Sequence, residues 1–292
     1  MNQIPLLGFS DPISSWSHLL TALSCFFGGF LLLKRGRGNT WRQVAISVYI
    51  FSLIFLFSMS GVFHLLPKDS ISRGVLQRLD YAGIWLLIAG TFTPIHVILF
   101  RGPLRWLVLL FIWTVTLTGL ILQVIFFRDF PEWLALSFFL GLGWIGILSY
   151  QSFKKNYLKH SPKLIALGGL SYSIGAIFDF IRWPILWYQY FGPHEIFHLF
   201  VSLGAFIHWR FIYQWCNHPI SDDFLCDIKI YSNKEYKLSG VNDQLELSSF
   251  SLEEVKAKAL QEIDRRYHHK YKYDVYFRYF HEDKVSSNKA HT

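Results

Sequence analysis

Two histidines four residues apart, His194 and His198, stand in the segment "HEIFH", a spacing that puts both imidazoles on one side of an α-helix. His-Glu-x-x-His on a helix is the ligand signature of zinc metalloproteases, in which the glutamate is the general base. A second pair at the same spacing, Ser60 and His64 in "SMSGVFHLLP", adds a hydroxyl and a third imidazole, and Asp80 in "RLDYAGI" adds a carboxylate. Three neutral imidazoles with an open fourth position are a catalytic zinc arrangement, in which the metal acts as a Lewis acid and lowers the pKa of a bound water to roughly 7. In such a centre Asp80 would hold or deprotonate the water, and Ser60 would orient a ligand or the substrate. Whether these groups meet depends on the elements that carry them.

A chain of 292 residues that is 52% hydrophobic, 18% aromatic and only 16% charged is not an ordinary soluble domain. A spanning helix needs about 20 mostly apolar residues, and seven runs qualify: 13–33, 43–66, 77–100, 104–127, 132–150, 163–183 and 194–215. The runs are continuous rather than alternating, which excludes a membrane β-barrel. No Lys or Arg precedes the first run and no small-residue cleavage site follows it, so it is expected to stay as the first span. The expected fold is an all-α seven-helix membrane bundle over residues 1–218 with a small C-terminal α+β appendage over 219–292. In the appendage "CDIKIYS" and "YDVYFRYF" alternate as strands do, and "SLEEVKAKALQEIDRRY" begins with Ser251 and Glu254 in capping-box spacing.

The loops after spans one, three and five hold ten Lys/Arg, against five in the loops after spans two, four and six. The positive-inside rule therefore predicts an outer N-terminus and a cytoplasmic C-terminus, in a bacterial inner or cell membrane. Residues 1–209 carry 15 basic against 7 acidic side chains, whereas the remainder balances 13 against 13. The net charge of +8 thus belongs to the membrane part and points to membrane lipids rather than nucleic acid as its partner. Cys25, Cys216 and Cys226 form no C-x-x-C pair, so neither a disulfide framework nor a cysteine zinc site is expected.

With seven alternating spans, the end of the second, the start of the third, the end of the sixth and the start of the seventh share one membrane face. His64, Asp80, Ser60, His194 and His198 then converge at one depth, where each is costly to leave unpaired. Weaker readings stand beside this one. Ser60 in a membrane helix can bond its own backbone, Asp80 can pair with Arg78 or Arg182, and Glu195 is either a zincin-type base or an interfacial carboxylate pointing elsewhere. His18 shares the site face and is a candidate supporting donor. His208 lies ten residues beyond His198, about 15 Å along the axis, too far for the same metal, and His96 belongs to the opposite interface. The stretch "RWPILWYQYFGP" reads as an interfacial aromatic belt, and His268–His269 as a solvated basic face.

The segments "SHLLTAL", Ser60-x-x-x-His64, "LDYAGI", "GGLSYSIGAIF" and "HEIFHLF" with His208 together resemble the haemolysin III branch of the progestin and adipoQ receptor family, over roughly residues 10–215. The resemblance implies zinc held by His64, His194 and His198, with Asp80 beside the metal's water. Relatives often carry Gln at the place of Glu195, which argues against that carboxylate as the base. Asp179 stands where the family usually has an aromatic, and the appendage is not part of the shared fold. The receptor branch keeps its metal at the cytoplasmic face, whereas the loop charges here put the corresponding face outside. The wider superfamily includes alkaline ceramidases, so the resemblance implies a zinc-dependent hydrolase of a lipid-like amide or ester. Two other classes stay open: a signalling receptor with structural zinc, whose C-terminal domain meets a protein partner, and a membrane-perturbing haemolysin.

Overall fold

The computed structural model describes residues 4–6, 8–100, 102–149 and 163–217, and beyond them 222–231, 238–249, 272–279 and 289–290 together with positions 257, 261, 262 and 265. The chain divides into two compact units, Met1–His218 and Pro219–Thr292. The first contains α1 (Pro12–Arg35), α2 (Thr40–Leu65), α3 (Ile71–Leu99), α4 (Gly102–Ile125), α5 (Glu132–Trp144, continued by a 3-10 turn over Ile145–Ser149), α6 (Lys163–Phe180) and α7 (Pro193–Trp215). Local chemistry sets several of the starts. Asn39 and Ser70 accept hydrogen bonds from the backbone amides of Arg42 and Arg73, at 3.0 and 3.2 Å, as helix N-caps do. Pro12 and Pro193 sit in first-turn positions, where a missing N–H costs nothing.

Among the described residues six helices are long and apolar enough to cross a membrane, and α5 is a shorter apolar helix. The fifth apolar run, 132–150 in the sequence, therefore differs from its neighbours: the α-helix closes after 13 residues. Gly141 and Gly143 lie in its last turn and weaken it, and the tighter 3-10 geometry takes over. Large side chains such as Phe26, Phe30, Leu107 and Leu110 are more than 60% exposed, a surface that water would penalise and acyl chains accept. The first unit is accordingly a multi-pass membrane helix bundle.

Its centre is α3, with 78% of its apolar window enclosed against 22% for α1, α4 and α6. The α2–α3 seam is tight because Gly83 and Gly90 carry no side chain. A Cβ on Gly83 would stand 2.9 Å from the Leu56 Cα, and one on Gly90 would collide with the Ser52 hydroxyl, the small-residue packing of membrane helices. This seam brings the end of α2 beside the start of α3, and with them His64 and Asp80. A second seam joins α1 to α7 through hydrogen bonds at seven-residue steps on both helices. Ser14 donates to Glu195 at 2.9 Å, Thr21 to Ser202 at 3.0 Å, and the Trp209 indole to the Gly28 carbonyl at 3.1 Å. The constant sequence separation of 181 means that the two helices run parallel, in heptad-like register.

In the second unit β1 (Asp222–Tyr231), β2 (Leu238–Ser249), β3 (Lys272–Tyr279) and β4 (Lys289–Ala290) form an antiparallel sheet of order β2-β1-β3-β4. Most of the helix expected from Ser251 onward, and His268–His269, lie outside the described residues.

Candidate metal centre

The chain enters the bundle antiparallel to the end of α2: the Ser10 and Asp11 amides donate to the Leu65 and His64 carbonyls, at 3.3 and 3.0 Å. Asp11 sits at the N-cap position of α1 but makes no capping bond. Its carboxylate serves the site instead. His64 Nδ1–H donates to Asp11 Oδ2 at 3.2 Å, Arg73 donates to the same oxygen and to the Leu66 carbonyl, and Lys68 stands 3.4 Å from Oδ1. Burial alone would raise the Asp11 carboxyl, but the hydrogen bonds from His64 and Arg73 outweigh it and hold the group well below the usual carboxylate range. Asp11 therefore stays ionised at neutral pH.

His194 is supported in the same way from α6, its Nδ1–H donating to Asp179 Oδ1 at 3.2 Å. Arg182 steadies Asp179 at 3.1 Å and also donates to Glu132 at 2.8 Å. When both imidazoles are neutral, with the proton of each on the Nδ1 that faces a carboxylate, the Nε2 atoms of His64 and His194 are lone-pair acceptors that face each other at 3.2 Å. Two such acceptors repel unless a cation is shared between them. The Nε2 of His198 lies 3.1 Å from that of His194, and the ligand atoms of all three histidines fall within 4.8 Å of one another. Nitrogens at about 2.0–2.1 Å from a tetrahedral zinc stand about 3.3–3.4 Å apart. The donor set, three imidazoles with no oxygen ligand among them, fits that metal better than magnesium or calcium.

Asp80, in the first half of α3, lies near Ser60, toward the end of α2. Asp80 lines the same cavity as His64 and His194, while Ser60 is buried behind it and lines neither cavity of the site. Glu195 accepts from the Ser14 hydroxyl at 2.9 Å and from the Gly192 amide at 2.8 Å, so it ties α1 to the start of α7 as an anchoring carboxylate. Arg78 packs over the Phe127 ring and Arg182 pairs with Glu132 and Asp179; neither forms the salt bridge with Asp80 that the sequence left open. His208 donates from Nε2 to the Ile165 carbonyl at 3.0 Å, a buried polar contact away from the three-histidine cluster.

Two cavities meet at the histidines. A chamber of about 370 Å³ runs between α3, α5, α6 and α7 past Leu87, Phe92, Phe139 and Trp144, with His64, Asp80, Asp179 and His194 at one end. A second cavity of about 600 Å³ is bordered by Lys68, Arg73, Arg182, Tyr190 and Glu195, and shares His64, Asp179 and His194 with the first.

A family model described as Haemolysin-III related matches residues 9–209. The chain belongs to the haemolysin III family. Hemolysin-3 of Bacillus cereus is 36% identical over 168 residues, which cover 58% of this chain and 73% of that protein. The adiponectin receptor protein of Drosophila melanogaster is 26% identical over 233 residues, 70% of this chain and 52% of the receptor. The monocyte to macrophage differentiation factor of Homo sapiens is 29% identical over 198 residues, 64% and 78% of the two chains. The resemblance to haemolysin III and adipoQ-type receptors therefore holds. The haemolysin III region contains every residue of the centre, from Asp11 to His198, and ends before the C-terminal unit.

Two carboxylates beside the histidines, Asp11 and Asp179, escaped the sequence. Asp11 lies outside every apolar run, and Asp179 stood out only as a departure from the family pattern. The alternation that united the histidines puts the start of the first span and the end of the sixth on the same face, but it does not pair either carboxylate with its histidine.

Proposed function

We propose that this haemolysin III protein is an integral-membrane zinc hydrolase that cleaves an amide or ester of a lipid-like substrate, with zinc held by His64, His194 and His198. The observation that carries this reading is the convergence of three imidazoles, with the Nε2 atoms of His64 and His194 turned toward each other at 3.2 Å, at the junction of an apolar chamber and a polar cavity. Bound there, zinc would supply a Lewis acid for the carbonyl and a water made acidic near neutral pH. The protein's own groups do the rest. The chamber's aromatic and aliphatic walls take the apolar chain and exclude water from it. Asp11 and Asp179 hold the two imidazoles in the tautomer that leaves Nε2 free. Asp80 accepts the proton of the attacking water and returns it to the leaving amine or alcohol.

Seven spans are part of the proposal, with α5 and its 3-10 turn as a thin fifth crossing. The parallel run of α1 and α7 supports that count, because six reversals restore the starting direction and five do not. The loop charges support an outer N-terminus, a cytoplasmic C-terminal α+β domain and a site that opens to the outer face of a bacterial cell membrane. A cytoplasm-active reporter fused at Thr292 is expected to be active; a silent reporter with an active exported phosphatase at the same position overturns the orientation.

Activity is tested with the purified protein on N-acyl amides and acyl esters of graded chain length, with and without a zinc chelator. Turnover that vanishes on chelation and returns with zinc is expected. A zinc-replete protein that hydrolyses nothing across the panel would instead favour the signalling alternative with structural zinc, in which the C-terminal domain contacts a protein partner.

A further inference from the structure

The three clustered histidines are not held alike. His64 and His194 each have a carboxylate on Nδ1, at 3.2 Å in both cases. For His198, Nδ1 is buried and makes no hydrogen bond of normal geometry among the described residues, the Ser14 carbonyl of α1 being a neighbour only. What His198 does have is a ring. His18, one turn after Ser14 on α1, stacks on it with centroids 3.7 Å apart and planes 22° from parallel. The other side of the arrangement is closed by Phe57, whose ring stands edge-on to His18 at 4.9 Å.

His18 is 2% exposed, and neither of its nitrogens makes a hydrogen bond of normal geometry among the described residues. It lines neither the chamber nor the polar cavity, and its nitrogens are not in the group that could share a metal with the three histidines. The α1–α7 seam fixes the stack: His18 lies between Ser14 and Thr21, His198 between Glu195 and Ser202, and both flanking pairs are hydrogen-bonded. We infer that His18 is a positioning residue that holds the His198 imidazole through face-to-face contact, doing for this ligand what Asp11 and Asp179 do for the other two. A ring whose Nε2 faces a cation is electron-poor, and the face of a neutral aromatic ring is a favourable neighbour for it.

The inference rests on the zinc reading, and its test separates the two. Zinc affinity is measured by chelator competition on the full-length protein and on His18→Phe, His18→Asn and His18→Ala, each first shown to be monodisperse in detergent. Phe keeps an aromatic face and removes the nitrogens; Asn keeps a polar amide and removes the ring. Expected are an affinity within about threefold of wild type for His18→Phe and a loss of about 10–100-fold for His18→Asn and His18→Ala, the usual scale for a group that supports a metal ligand. Cobalt substitution gives a second readout. The visible band of the cobalt protein is expected to be unchanged in His18→Phe and shifted in His18→Ala, as the His198 ring turns. Wild-type affinity in all three variants, equal loss in all three, or loss in His18→Phe with retention in His18→Asn each overturns the role of His18. Wild-type protein that binds no zinc removes the metal reading itself.

Discussion

The two cavities that meet at His64 and His194 are built from opposite materials. Toward the polar side stand Lys68, Arg73, Arg182 and Glu195, most of them already engaged in ion pairs or hydrogen bonds. Toward the chamber stand leucines, phenylalanines and Trp144, with Asp80 as the carboxylate nearest the histidines from α3. Under the proposed function the contrast teaches how a membrane protein can bring water to an apolar molecule: the cations Lys68, Arg73 and Arg182 border only the polar cavity and are paired there, and Glu132 and Asp179, which reach the chamber, are paired with Arg182. It also divides the acidic groups by task. In the proposed function Asp11, on the polar cavity alone, and Asp179, which borders both cavities, orient histidines, while Asp80, on the chamber alone, acts on what enters it.

The largest effect is expected where the chamber side alone is altered. Asp80→Asn should keep the zinc and lower hydrolysis by about 10²–10⁴-fold, the range for removing a general base. Wild-type turnover in that variant, measured against zinc content in the same preparation, would make Asp80 structural and erase the division of tasks.

Changes on the polar side come next. Asp11→Asn and Asp179→Asn should each weaken zinc binding by about 10–100-fold, because an amide no longer fixes the tautomer that frees Nε2. Chelator competition reads this directly. Affinities unchanged in both would mean that the two ion-paired carboxylates serve only to join α1 and α6 to their neighbours.

A smaller effect sharpens the comparison from the other direction. Ala176 lines the chamber, and Ala176→Phe should slow turnover of long-chain substrates by about tenfold while sparing short-chain ones. Zinc content should not move. Equal slowing for every chain length would place the substrate's apolar part somewhere other than this chamber.

Much of this was legible in the sequence because a bilayer enforces simple rules. Apolar runs gave the helices, their alternation gave the shared face, and helical spacing put His194 and His198 on one side of α7. The carboxylate partners were harder. Asp11 sits in the irregular segment before α1, where no periodicity marks a residue, and only the backbone bonds from Ser10 and Asp11 to the end of α2 carry it to His64. Asp179 departs from the family pattern in the sequence, yet its distance to His194 depends on how closely α6 and α7 pack. The stack of His18 on His198 was beyond reach for a similar reason: spacing placed His18 on the right face, but ring planes follow from the α1–α7 register, which the sequence does not state. The short fifth helix was hidden because an apolar run reads the same whether its last residues are α-helical or 3-10.

The central claim is that the three histidines hold one zinc ion. Metal analysis of protein purified without added zinc, for wild type and for His64→Ala, His194→Ala and His198→Ala, tests it most directly. The account predicts about one zinc per wild-type chain and loss of nearly all of it in each variant, since two remaining imidazoles no longer make the three-ligand site that such centres use. Wild-type protein free of zinc, or full zinc content in all three variants, would contradict it.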